Sequence, residues 1–93
     1  MVYQMPKRTL NGPLKLLSYL LEQNEPVPIM KIHLDTRMPY KTIYTAINVL
    51  KELDLLKETI DPGPPMKRLI KLTEKGKQAA DHARELLKIS GLL

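Results

Sequence analysis

The 93-residue sequence predicts an α+β fold in the order α-α-α-β-β-α, closed by a long C-terminal helix. Apolar residues recur at helical spacing in residues 14–21, 29–53 and 74–89. One stretch, residues 66–72, alternates instead with the period of a strand. The prolines and glycines fall between these stretches and punctuate them. A chain this short buries one core, so residues 1–93 are read as a single domain. Its 43% hydrophobic and 27% charged residues are those of a chain that folds, not of a disordered tail.

Asn11-Gly12-Pro13 is expected to open the first helix, with proline early, where its missing N–H costs little. Leu14, Leu17, Leu20 and Leu21 then face inward until Glu25-Pro26-Val27-Pro28 forces an exit. A second, short helix runs from Ile29 to about Thr36 with Ile29 and Ile32 inward. After Arg37-Met38-Pro39 a third helix runs from about Tyr40 to Leu53. Ile43, Ala46, Ile47 and Leu50 share one side of it, which leaves Lys41, Thr45, Asn48 and Glu52 on the other. Two helices joined by a tight turn make a helix-turn-helix.

From Leu55 to Ile60 the helical period disappears, and Asp61-Pro62-Gly63-Pro64-Pro65 supplies a proline-stiffened tip. Beyond it Arg68, Ile70 and Leu72 fall on one side of a returning strand, which completes a β-hairpin. A short third strand is expected near Val27. Thr73 is placed to cap a last helix that begins at Glu74, whose Ala79/Ala80, Ala83, Leu86/Leu87 and Ile89 recur at three- and four-residue spacing. Three helices, a hairpin and a final helix are the winged-helix layout.

Fifteen Lys and Arg against ten Asp and Glu give a net charge of +5 and a pI near 9.6. That excess points to polyanions, nucleic acid before an anionic membrane surface. No apolar run approaches the roughly 20 residues that cross a bilayer. Met1 to Leu10 lacks the layout of a signal peptide, so a cytoplasmic protein with no membrane partner is expected. With no cysteine there is no disulfide, thiolate metal site or thiol redox sensing. His33 and His82 stand apart from any cluster at ligand spacing, so no metal is expected and each is read as a surface or capping residue. Gly63 and Gly76 form no phosphate-binding loop, and no acid–base or nucleophile constellation assembles. Neither a cofactor nor an enzymatic activity is expected.

The segment from Ile29 through Met38, followed by Thr42-Ile43-Tyr44-Thr45-Ala46-Ile47-Asn48-Val49-Leu50-Lys51-Glu52-Leu53-Asp54-Leu55-Leu56, resembles the helix-turn-helix of MarR- and ArsR-type regulators. Leu72-Thr73-Glu74-Lys75-Gly76 is similar to the Leu-Thr-x-x-Gly that ends the wing in those families. The resemblance covers about Leu14 to Ala83, and compact versions resemble regulators of archaea and their viruses. It implies a homodimeric winged-helix transcription regulator, a repressor by preference. The sequence departs from the family pattern at Asp54 and at Arg37, where glycine is common. Asp54 still permits the left-handed turn that ends a helix, whereas the backbone at Arg37 is left open.

Reading a major groove takes donors and acceptors on a slim helix, with cations alongside to hold phosphates. Lys41, Thr45 and Asn48 supply the first; Asn pairs bidentately with adenine and Lys commonly with guanine. Arg37, Tyr40, Thr42 and Tyr44 border this face as candidate sugar and phosphate contacts. Lys67, Arg68 and Lys71 place cations on the wing, where Lys also protects hairpin edges. Lys31, and beyond it Lys7, Arg8 and Lys15, extend the patch or are solvated surface. Double-stranded DNA is therefore the expected partner, with a protein-interaction module as the alternative. The apolar stripe of the last helix outruns what a small core needs, so Ala83, Leu86, Leu87 and Ile89, with Val2, Tyr3 and Met5, are expected in a homodimer interface drawn from residues 1–11 and 77–93. Any effector ligand is left open.

Overall fold

A computed structural model describes the backbone of residues 7–89 and 91, and the side chains of residues 12–89 and 91. The elements are α1 (Lys7–Leu21), β1 (Val27–Pro28), α2 (Ile29–Thr36), α3 (Tyr40–Glu52), β2 (Leu56–Asp61), β3 (Lys67–Leu72) and α4 (Glu74–Ile89). The order is the predicted one, and the short strand expected near Val27 is β1. It pairs antiparallel with β3, matching Val27 to Ile70 and Pro28 to Leu69. The sheet order is β1-β3-β2, so β3 is central. Across the hairpin Leu56 faces Leu72 and Asp61 faces Lys67. Val2, Tyr3 and Met5 lie outside the described residues.

The first helix corrects the sequence reading, for α1 begins at Lys7 and holds Pro13 inside it. Proline fixes φ near a helical value and removes one hydrogen bond, here to the Thr9 carbonyl. The loss falls near the start of the helix, and packing outweighs it. Gly12 supports that packing: a Cβ there would stand 3.1 Å from Cγ2 of Thr42 on α3. The stripe of α1 is also wider than its leucine spacing suggests, because Leu16 and Ser18 are buried beside Leu17 and Leu20. The cause is position, since α1 packs against α3, β3 and along α4.

The core joins those leucines to Ile29 and Ile32 of α2, Ile43, Ala46, Ile47 and Leu50 of α3, Ile70 and Leu72 of β3, and Ala80 and Ala83 of α4. Burying each Leu or Ile side chain is worth roughly 1.5–3 kcal/mol. Tyr19 Oη donates to Asp35 at 2.6 Å and Lys31 Nζ donates to the same oxygen at 3.0 Å, which ties α2 to α1. The bonds from Tyr19 and Lys31 hold the Asp35 carboxyl below its usual pKa. Burial and the bond to Asp35 push the Tyr19 phenol up.

Two turns bracket α3, and both use non-glycine residues in the left-handed region. Arg37 closes α2 with φ 62° and ψ 13°, its N–H donating to the His33 carbonyl at 2.8 Å. Asp54 follows α3 with φ 61°, so the helix stops where expected. Thr73 caps α4 as predicted: its Oγ1 accepts the Gly76 N–H at 2.9 Å and donates to the Asp54 carbonyl at 2.7 Å.

On α4 the surplus apolar stripe is narrower than expected. Ala83 and Leu87 are buried within the chain, whereas Leu86 and Ile89 are 47% and 78% exposed. The helix runs back along α1, and Arg84 Nη2 donates to Glu22 at the end of α1. Periodicity alone does not reveal that second contact.

Candidate nucleic-acid interface

α3 stands between the turn after α2 and the wing made by β2 and β3. Its amphipathic sequence fixes its rotation: four buried apolar residues hold one side on the core, and Lys41, Thr45, Asn48 and Glu52 are exposed on the other. Lys41 and Asn48 have no side-chain hydrogen bond or ion pair among the described residues. Thr45 Oγ1 donates back to the Lys41 carbonyl at 2.9 Å, which fixes its rotamer and turns its methyl. Thr42 is half-buried on the flank facing α1, against Gly12. Arg37 is exposed on the preceding turn.

Tyr40 and Tyr44 continue as a line of rings. His33 stacks on Tyr40 with centroids 4.2 Å apart, and Tyr40 lies 6.5 Å from Tyr44. His33 Nδ1 donates to the Met38 carbonyl at 2.7 Å. The histidine read as a capping residue therefore braces the turn that aims α3. Among the described residues no group of three or more His, Asp or Glu side chains stands where it could hold a metal.

The wing separates its cations by face. Lys67 and Lys71 point to the outer face, where Lys71 sits opposite Lys57 and Lys67 opposite Asp61. Arg68 shares the inner face with Ile70 and Leu72, and it is engaged. Its Nε donates to Glu58 Oε2 at 2.7 Å and its Nη2 to Oε1 at 2.8 Å. The guanidinium also lies 5.5 Å from the centre of the Tyr44 ring. Lys51 Nζ reaches the same carboxylate at 3.5 Å. The Arg68 hydrogen bonds hold the Glu58 carboxyl below its usual pKa, against desolvation.

Glu58 and Lys57 are absent from the sequence reading. Their signal was nonetheless present: pairing Leu56 with Leu72 across the tip places Glu58 diagonal to Arg68 and Lys57 opposite Lys71. Between α2 and the wing lies a groove of about 480 Å³ lined by Pro28, Ile29, Met30, Leu34, Tyr44 and Met66 among others. Met30, Leu34 and Met66 are the most exposed of its large apolar side chains.

No protein-family profile and no curated protein sequence matches this chain. Solved structures do. A transcriptional regulator homologue from Pyrococcus horikoshii OT3 superimposes with a TM-score of 0.73 at 21% identity, over 88% of this chain and 83% of that one. Apo ZitR of Lactococcus lactis, as its C30AH42A mutant, gives 0.71 at 23% identity over 91% of this chain and 64% of its own. A PadR family transcription regulator from Clostridium difficile R20291 gives 0.71 at 16% identity over 86% and 90%. The fold is a winged helix. The winged helix assigns α2 and α3 to the helix-turn-helix and the β2–β3 hairpin to the wing. Among the described residues no helix is long and apolar enough to cross a membrane.

Proposed function

We propose that the protein is a sequence-specific double-stranded-DNA-binding transcription regulator of the MarR/ArsR type, acting in the cytoplasm and without catalytic activity. The observation that carries this reading is the exposed face of α3, where Lys41 and Asn48 stand unengaged on a helix whose other side is locked into the core. In this reading α3 enters the major groove by its N-terminal half, because Glu52 at the far end repels phosphate. Lys67 and Lys71, with Lys57 beside them, hold the adjacent backbone. The chain's net charge of +5 supports the same partner.

Selection from a random duplex pool, followed by titration of the selected site, tests the reading. Asn48→Ala or Lys41→Ala is expected to cost about 1–3 kcal/mol on that site and to blur one or two base positions. Sequence preference that survives both changes rejects α3 as the reading helix.

The working form in this proposal is a homodimer joined through the exposed edge of α4 at Leu86 and Ile89. In this proposal the two copies of α3 read half-sites one helical turn, about 34 Å, apart. Sedimentation of the Leu86→Glu, Ile89→Glu variant is expected to give a monomer with weakened DNA binding. A wild-type protein that sediments at 10.7 kDa at micromolar concentration rejects the dimer.

A further inference from the structure

The wing's arginine is the cation a DNA-binding reading would first assign to phosphate, and its geometry argues otherwise. Arg68 donates two parallel hydrogen bonds to Glu58, the fork-to-fork arrangement that fixes orientation as well as charge. The Glu58 side chain is only 15% exposed. Moving Arg68 to a phosphate would cost Glu58 its two shortest hydrogen bonds and leave Lys51 at 3.5 Å as its remaining partner. A guanidinium already neutralised by a carboxylate also neutralises no further phosphate, so it adds little to the release of DNA counterions. Arg68 meanwhile lies over Tyr44, which is part of α3.

Resting on the DNA-binding reading above, we propose that Arg68 is a positioning residue: clamped by Glu58, it holds the wing against Tyr44 and so fixes the angle between wing and recognition helix. The wing's phosphate contacts are then Lys67, Lys71 and Lys57. Through Tyr44, Tyr40 and His33 the same line of rings reaches the Met38 carbonyl in the turn before α3. Displacing the wing therefore disturbs both ends of the surface that reads DNA. Glu58, an acid on the inner face of a basic wing, has its reason there: it holds Arg68 inward.

The test compares the affinity of the full chain for its selected duplex and for a random duplex of equal length, by fluorescence anisotropy across potassium chloride concentrations. Arg68→Ala is expected to leave the salt slope unchanged and to reduce the preference for the selected site about tenfold, since alignment is lost and charge contact is not. Arg68→Lys keeps the charge and loses the fork, and it is expected to lose the same preference; it also serves where the alanine variant does not fold. Glu58→Gln releases Arg68, so the slope is expected to steepen by about one unit on both duplexes while preference falls. A slope lowered by about one unit in Arg68→Ala with preference retained, or an Arg68→Lys protein indistinguishable from the wild type, overturns the assignment and leaves the DNA-binding reading standing. A wild-type chain that binds neither duplex removes both.

Discussion

The two turns that flank α3 do the same job with different chemistry. Before the helix, Arg37 takes the left-handed conformation, and the turn is braced by half-buried side chains. Thr36 Oγ1 donates to the Ile32 carbonyl and accepts the Met38 N–H, while His33 holds the Met38 carbonyl. After the helix, Asp54 takes the left-handed conformation, and the brace adds a steric contact to hydrogen bonds from Thr73. Thr73 binds the Asp54 carbonyl, and the first turn of α4 presses Gly76 onto the Leu55 carbonyl. One end of α3 is held by adjustable side-chain hydrogen bonds, the other also by a backbone contact without slack. The adjustable end is the one proposed to enter the groove.

The largest expected effect breaks the rigid end. A Cβ on Gly76 would stand 1.9 Å from the Leu55 oxygen and 2.9 Å from its carbon, both backbone atoms that cannot rotate away. Gly76→Ala must therefore push the first turn of α4 away from the Leu55 backbone after α3, and we expect a loss of at least about 3 kcal/mol in urea unfolding, in the range of severe overpacking. A loss under about 1 kcal/mol would show that this junction yields as readily as the other. The Thr-x-x-Gly spacing thus has a local cause: the threonine caps the helix, and the glycine lets the capped turn dock.

At the adjustable end, His33→Ala removes the hydrogen bond to Met38 and the ring stacked on Tyr40. About 1–3 kcal/mol is expected, the sum of a part-buried hydrogen bond and a ring contact. The change should loosen the turn before the core: amide exchange at residues 37–40 should accelerate while that of the buried helices stays slow. Equal acceleration everywhere would mean that His33 supports the whole fold.

How much of this was legible in the sequence follows from the same contrast. Helical and strand periods identified α2, α3, the hairpin and α4 because each element turns one apolar face to the core, and that face is written in neighbouring residues. The threonine cap was legible for the same reason. What the sequence did not reveal depends on residues far apart in the chain. Leu16 is buried because α1 packs against more than one neighbour, and Ala83 and Leu87 are covered because α4 folds back along α1. Pro13 suggested a helix start because proline is best tolerated there, yet packing carried the helix through it. Arg68 was read by its charge, whereas alternation already set it on the face of Ile70 and register set it beside Glu58.

A smaller effect concerns acid. Glu58 and Asp35 both have depressed pKa values, Glu58 through Arg68 and Asp35 through Tyr19 and Lys31. A carboxyl whose folded pKa lies below its unfolded one contributes stability that is present above the unfolded value, near 4. That contribution is lost as pH falls through the folded value. Stability should therefore decline below about pH 4, and Glu58→Gln should flatten part of that decline while lowering stability at neutral pH. An unaltered acid limb would mean that the wing's ion pair contributes nothing to folding.

The smallest effect separates the two left-handed residues themselves. A Cβ in this region costs about 1–2 kcal/mol, which glycine removes. Glycine also loses more backbone entropy on folding, by roughly 0.5–1 kcal/mol. The balance for Arg37→Gly, at φ 62°, is a gain between zero and about 1.5 kcal/mol. Aspartate tolerates the left-handed region better than arginine does, so Asp54→Gly, at φ 61°, has less strain to relieve and the same entropy to lose. We expect Arg37→Gly to raise the urea midpoint and Asp54→Gly to leave it unchanged or lower it. The reverse order would place the strain after α3, at the junction already fixed by Gly76, and would end the distinction between an adjustable and a rigid end. Arg37→Gly also removes an exposed cation beside α3, so a stabilised variant that binds DNA more weakly would separate the turn's geometric role from its charge.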